Sequence, residues 1–150
     1  MIKYRAKKTS LYRTQLLTKN SMIAIKASIG TELYKIELKS PTGNVVFADE
    51  PVDKGGQDKG FSPKELLASS LGACTCATVR MYADRKAWNL ENVYADIELL
   101  EADGQTTFIR KIQFTGDLTD EQRARLLAVA NACPLHKILS HSSVIETTVV

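Results

Sequence analysis

The chain has 150 residues, of which 44% are hydrophobic and 25% charged, and its formal net charge is +3. This composition is ordinary for one soluble globular domain, and no apolar run reaches the about 20 residues that a membrane-spanning helix needs. Residues 1–20 lack the apolar core of a signal peptide, so we expect a cytoplasmic protein whose thiols are kept reduced. The three cysteines, an odd number, also fit poorly with a purely structural disulfide framework.

The positive charge is concentrated at the N-terminus. Residues 1–20 contain six basic side chains and no acidic one, whereas the rest of the chain carries a slight acidic excess. We therefore predict a basic extension over residues 1–21 and one folded domain over residues 22–150. The extension could contact an anionic partner or simply be solvated. Because the domain has no basic excess, neither nucleic acid nor a membrane is expected as a partner.

The first predicted elements are strands and a long helix. Apolar residues alternate within residues 22–47, and a Pro-Thr-Gly-Asn turn at 41–44 precedes a short strand at 45–47. A polar, glycine-rich loop without evident structure of its own follows over residues 48–62. Ser62, Pro63 and Glu65 then form a capping-box signal for a helix that should extend to about residue 86.

The second half of the chain predicts a hairpin, another helix and a last strand. Strands near residues 93–100 and 108–114 are joined by a turn at 102–104. Thr119 and Gln122 form a second capping box, and the helix that they begin should reach Cys133, where Pro134 interrupts it. A short turn through residue 139 and a strand over residues 144–149 complete the chain. This order of elements favours an α+β domain.

The first helix should carry Cys74 and Cys76 on different sides. A wheel of about 100° per residue places Cys76 about 200° from Cys74, so the pair does not suit one metal ion and no metal site is predicted. Gly72 is unfavourable inside a helix, which suggests that the helix backbone approaches a neighbouring element closely at this position. Cys74 should lie on the main apolar stripe, which also holds the following residues: Leu67, Leu71, Thr78 and Met81.

Two interpretations of the cysteines remain open at this point. Cys74, Cys76 and Cys133 could each be an inert buried thiol. Alternatively, Cys74 and Cys133 form a dithiol site if the fold brings their helices together, with His136 near Cys133. Cys74 lies about 16 Å from the helix start, beyond the effective reach of the helix dipole. A reactive Cys74 thiolate therefore needs a cation or hydrogen-bond donors from elsewhere in the fold.

The chain resembles the OsmC/Ohr family, that is, osmotically inducible protein C and organic hydroperoxide resistance protein. Short motifs carry the resemblance in family order, over roughly residues 22–150. The matching segments are Ala48-Asp49-Glu50-Pro51, Gly55-Gly56, Ser62-Pro63-Lys64-Glu65-Leu66-Leu67, Leu71-Gly72-Ala73-Cys74-Thr75, Arg80-Met81-Tyr82-Ala83-Asp84-Arg85-Lys86, Gly116-Asp117-Leu118, Glu121-Gln122-Arg123 and Cys133-Pro134-Leu135-His136-Lys137.

The resemblance implies an α+β, OsmC-like fold built as an intertwined homodimer, with long central helices packed between β-sheets. It also implies a two-cysteine peroxidase without metal or flavin. Cys74 would attack an organic hydroperoxide, Cys133 would resolve the resulting sulfenic acid as a disulfide, and an external dithiol such as a lipoyl group would reduce that disulfide. Glu65 lies nearest to the glutamate that orients an activating arginine in the best-studied branches.

Two features depart from those branches. Lys64, rather than a glutamate, follows Pro63, and no arginine occurs within residues 22–63, where those branches carry the activating arginine on a strand. The chain therefore supports a second hypothesis besides the peroxidase. It could be a non-catalytic, redox-responsive module, or a module that binds a small apolar ligand.

Overall fold

A computed structural model of the chain describes residues 23–149, and these divide into two units, residues 23–60 and 61–149. The basic extension predicted over residues 1–21 lies outside the described residues. Both sheets are antiparallel, and the strands before and after the long helix belong to different sheets, so the predicted α+β class is confirmed. Within residues 23–149, no helix is both long enough and apolar enough to cross a membrane.

The first unit is built on an antiparallel sheet of three short strands in the order β1-β2-β3. They span Lys26–Ile29, Ile36–Lys39 and Val45–Ala48, as the alternation of apolar residues predicted. The predicted turn at 41–44 joins β2 to β3 and is closed by a 2.9 Å hydrogen bond from Ser40 N to Asn44 O. Ile29 and Phe47 stay largely exposed on this sheet, so the unit has little core of its own.

The loop after β3 is ordered by one carboxylate, which corrects the expectation of a loop without structure of its own. Asp49 is buried, and its two oxygens accept hydrogen bonds from the backbone N–H groups of four residues. The donors are Tyr34, Glu50, Gln57 and Lys59. These bonds, above all the one from Lys59, hold the pKa of Asp49 below its ordinary value. A short 3-10 helix, Val52–Lys54, completes the loop.

The second unit begins with the long helix α1, Pro63–Arg85. Its start is the predicted capping box, in which the Ser62 hydroxyl accepts from Glu65 N while the Glu65 carboxylate accepts from Ser62 N. The hairpin that follows is longer than predicted, with β4 at Asn89–Ala102 and β5 at Gln105–Asp117. Asp103 and Gly104 form its two-residue turn, both at positive φ, as such a turn requires.

The last helices depart from the prediction at Cys133. Helix α2 spans Asp120–Asn131 from the predicted Thr119 cap, and a separate short helix, α3, spans Pro134–Leu139. Cys133 is therefore not inside α2 but is the N-cap of α3, because Pro134 cannot continue one helix yet suits the first position of the next. The strand predicted over residues 144–149 is wrong, since residues 142–149 have no regular secondary structure.

The core of the second unit lies where α1 packs against β4, α2 and α3. The buried side of α1 consists of Leu71, Thr75, Val79 and Ala83. This corrects the expectation that Cys74 lies at the centre of the buried stripe. Cys74 is half-buried at its margin, while Leu67 and Met81, which share its face, are 41% and 63% exposed.

Candidate functional site

Cys74 lies in the middle of α1 with few polar neighbours. Its Sγ atom is 4.0 Å from the hydroxyl of Thr78, one turn later on the same helix. No Lys, Arg or His nitrogen among residues 23–149 forms a hydrogen bond with this sulfur. The described chain therefore holds Cys74 as a half-buried free thiol and does not itself bring a cation to it.

Cys133 is fully buried where α2 gives way to α3. Its Sγ accepts a 3.3 Å hydrogen bond from His136 N, and its own N–H donates to the carbonyl of Ala130 at 3.3 Å. Both bonds fix the thiol in the turn that begins α3. Since α3 packs against α1, the helix that carries Cys74 and the turn that carries Cys133 are neighbours in the fold.

Arg110, on β5, joins these two elements, and sequence reasoning missed it. Its Nη1 donates to the Thr75 hydroxyl at 2.8 Å and to the Ala130 carbonyl at 3.2 Å. Its Nη2 donates to Asn131 Oδ1 at 2.8 Å and contacts His136 Nδ1 at 3.4 Å. Because a guanidinium only donates, this last contact is a hydrogen bond only in the tautomer of His136 whose Nδ1 accepts.

A pattern in the sequence could have revealed Arg110. Side chains alternate between the two faces of a strand, and Phe108, Ile112 and Phe114 occupy the inward face of β5. Arg110 falls in the same series, so a charged side chain interrupts a row that is otherwise apolar. A charged group on an inward face needs polar partners, which is a signal for a built site.

The other charged side chains near α1 have structural contacts instead. Glu65 accepts from Ser62 N at 2.7 Å, and this bond lowers the pKa of its carboxyl. Lys64, which stands where the best-studied branches have a glutamate, pairs with Glu101 on β4. Arg80 donates to the carbonyls of Leu90 and Glu91. None of these three groups forms a hydrogen bond with Cys74 within residues 23–149.

Cys76 lies on the side of α1 that faces β4, whereas the helical wheel had predicted only that it lies on a different side of α1 from Cys74. Its Sγ is 3.7 Å from the carbonyl of Val93, and burial raises the pKa of its thiol. A protonated, partly buried thiol is a poor nucleophile. Across residues 23–149, no group of three or more His, Cys, Asp or Glu side chains is placed to hold a metal ion.

An open cavity of about 440 Å³ adjoins the Arg110 cluster. Its polar wall includes Arg110, Asn131 and His136. Its apolar wall is formed by Leu71, Phe108, Ile112, Leu127 and Leu139. The cavity therefore offers both apolar contacts and hydrogen-bonding groups to a small molecule.

Comparison with known proteins gives the same family as the sequence motifs. A family model described as OsmC-like protein matches residues 56–148. A solved structure from Psychrobacter arcticus, provisionally named an osmotic stress induced and detoxification response protein, is 24% identical over 81% of this chain and 91% of its own, with a TM-score of 0.68. An OsmC like protein from Mycoplasma pneumoniae is 19% identical over 81% and 89%, with the same TM-score.

A third solved structure, an organic hydroperoxide resistance protein OsmC from Legionella pneumophila, is 19% identical over 81% of this chain and 91% of its own. Its TM-score is 0.60. At these identities the three structures establish a shared fold. No curated protein sequence matches the chain.

Proposed function

The chain belongs to the OsmC-like protein family, and we propose that it is a cytosolic, thiol-dependent peroxidase that reduces organic hydroperoxides through Cys74 and Cys133. The observation that supports this most is the packing of α1, which carries Cys74, against α3, whose N-cap is Cys133. Similar folds occur in proteins named for organic hydroperoxide resistance.

The proposed reaction uses one peroxide and two thiols. The Cys74 thiolate attacks one peroxide oxygen, the O–O bond breaks, and the other oxygen leaves with a proton as an alcohol. The resulting Cys74 sulfenic acid condenses with the Cys133 thiol, so that an S–S bond forms and water leaves. An external dithiol, such as a lipoyl group, then reduces the disulfide by thiol–disulfide exchange. The cycle requires neither metal nor flavin.

We further propose that a second copy of the chain packs against the exposed face of α1. Leu67, Cys74 and Met81 recur at intervals of seven residues and therefore lie along one side of the helix. Large apolar side chains on this face are exposed in the single chain, which is unfavourable in water. A homodimer would cover them, and it could supply the cation that Cys74 lacks among the described residues.

Catalytic turnover tests the proposal. Purified protein with a dithiol and cumene hydroperoxide should consume the peroxide catalytically, and Cys74→Ser should abolish this activity because the attacking sulfur is gone. Cys76→Ser is the matched control: it alters the same helix two residues away and should leave turnover intact. Equal rates for the parent protein and Cys74→Ser would overturn the proposal.

The cavity beside Arg110 supports a second candidate function, the binding of a small apolar ligand without efficient catalysis. Its lining combines apolar side chains with polar ones, and Cys74 has no cation within hydrogen-bond reach among residues 23–149. A ligand retained through purification, bound equally well by Cys74→Ser in the absence of turnover, would favour this function over the peroxidase.

A further inference from the structure

The guanidinium of Arg110 contacts both chain segments that carry the proposed cysteines. On one side it binds Thr75, the residue directly after Cys74. On the other side it contacts Ala130 and Asn131, which precede Cys133 in the sequence, and His136, which follows it. Ala130 O accepts from both Arg110 Nη1 and Cys133 N. One side chain therefore ties the Cys133 turn to the α1 position next to Cys74.

An ion pair does not explain why a charged side chain occupies this place. Within residues 23–149, no carboxylate oxygen lies within 4.0 Å of Arg110, and three of its partners are the neutral oxygens of Thr75, Ala130 and Asn131. The planar fork of a guanidinium can reach several acceptors in fixed directions, which an ammonium group cannot do. The directional geometry of the guanidinium, and not only its positive charge, therefore distinguishes Arg110 from a lysine at this position.

We propose that Arg110 is a positioning residue for the resolving cysteine. Its hydrogen bonds hold the turn that carries Cys133 against α1 and so raise the effective concentration of the Cys133 thiol at Cys74. This role rests on the proposed function of the two cysteines. It differs from thiol activation, because Arg110 makes no hydrogen bond to either sulfur in the described chain.

The equilibrium of the Cys74–Cys133 disulfide measures this effective concentration without any peroxide. In a buffer of oxidised and reduced dithiothreitol, the protein S–S bond forms as the S–S bond of the reagent breaks, with two electrons and two protons passing to the reagent. Arg110→Met should lower the equilibrium constant for forming the protein disulfide at least tenfold, equivalent to about 30 mV. Arg110→Lys should lower it similarly, because one ammonium cannot span the acceptors of Arg110.

Arg110→Met is expected to fold. The Thr75 hydroxyl still donates to Leu71 O at 2.7 Å, and Ala130 O still accepts from Cys133 N, so neither buried group loses every partner. Arg123→Met is the matched control. Arg123 is also half-buried and donates to the carbonyls of Phe114 and Gly116, but it forms no hydrogen bond with either cysteine-bearing segment among residues 23–149. Arg123→Met should leave the equilibrium constant unchanged.

Two outcomes would overturn the inference: an equilibrium constant within twofold of the parent value in folded Arg110→Met, or an equal shift in Arg123→Met. If Arg110→Met does not fold, two other variants test the inference, since Thr75→Val and Asn131→Ala each remove one acceptor of Arg110. Each should lower the equilibrium constant about threefold. An unchanged constant in both variants would overturn the inference. A parent protein with the expected disulfide equilibrium but no peroxide turnover would defeat the peroxidase proposal alone. Normal turnover with an unshifted Arg110→Met would defeat the Arg110 proposal alone.

Discussion

Arg110 Nη1 donates a 2.8 Å hydrogen bond to the hydroxyl of Thr75, a fully buried side chain adjacent to Cys74 on α1. Thr75 in turn donates to Leu71 O, so its hydroxyl is satisfied in both roles. Among the hydrogen bonds of residues 23–149, the one from Arg110 to Thr75 brings a cationic side chain closest in sequence to Cys74. It connects β5 to α1 at the level of the candidate thiol site.

Glu65→Gln should retain peroxidase turnover and lose only the part of the helix stability near neutral pH that depends on the carboxylate charge. The Gln side-chain oxygen can still accept from Ser62 N, and a capping box takes Gln as well as Glu at this position. The measurements are urea unfolding and hydroperoxide consumption. The resemblance instead implies a catalytic Glu65. A tenfold loss of turnover without a larger loss of stability would establish that catalytic role and contradict our expectation.

Glu65→Gln also tests how the ionised Glu65 carboxylate contributes to stability at acidic pH. Because the bonds from Ser62 lower the pKa of Glu65 in the folded state, the stability that the ionised cap contributes is present above the ordinary value of 4.5. It is lost as pH falls through the lowered pKa. Unfolding of Glu65→Gln should therefore depend less on pH below 4.5 than unfolding of the parent protein, and equal slopes would contradict the assignment.

Gly72→Ala should stabilise the protein by about 0.5–1 kcal/mol in urea unfolding, the difference in helix propensity. The sequence suggested close backbone approach at Gly72, but the nearest atom to an added Cβ is Ile97 Cγ1 at 3.5 Å, an ordinary contact. Gly116→Ala is the contrasting control. Gly116 has φ +122°, and an added Cβ would lie 2.2 Å from Asn89 O, so this change should destabilise by at least about 1–3 kcal/mol. If Gly72→Ala instead destabilises the protein, the space beside Gly72 is filled by another group and this expectation is wrong.

Asp49→Asn should loosen the loop between β3 and α1. Asp49 Oδ2 accepts from Gln57 N and Lys59 N, while Oδ1 accepts from Tyr34 N and Glu50 N. An amide has only one acceptor oxygen, so one pair of donors must lose its partner. Amide hydrogen exchange at these positions should accelerate. Asp53→Asn, an exposed change in the same loop, is the control, and equal protection in both variants would contradict this account.

Met81→Asp should convert the proposed homodimer into monomers. A carboxylate in an apolar interface is costly to desolvate, and Met81 lies on the same face of α1 as Leu67 and Cys74. Light scattering coupled to gel filtration measures the mass. Glu121→Lys, an exposed change on α2, should not alter it. A monomeric parent protein, or a Met81→Asp protein that stays dimeric, would contradict the proposed interface.

Local signals predicted the starts of both long helices, because a capping box depends on residues only three positions apart. Ser62 with Glu65, and Thr119 with Gln122, form the predicted bonds. The strand expected over residues 144–149 failed for the opposite reason. β-branched residues favour a strand only when a neighbouring strand is present to pair and pack with them, and no such pairing involves residues 142–149.

The candidate site was predictable only in part. The motifs singled out Cys74 and Cys133 only as candidates, and the wheel could not tell which side of α1 the rest of the fold would bury. Arg110 was missed because no short-range motif links it to either cysteine. Its partners lie 20 to 35 positions away in sequence, and only tertiary packing brings them together.

The most direct test of the central claim is the product of a single turnover. Reduced protein is treated with one equivalent of cumene hydroperoxide and mapped by mass spectrometry after digestion under conditions that preserve disulfides. We expect a Cys74–Cys133 disulfide with Cys76 still a free thiol, and a Cys74 sulfenic acid trapped by dimedone in Cys133→Ser. Three unreacted thiols, or a disulfide that contains Cys76, would contradict it.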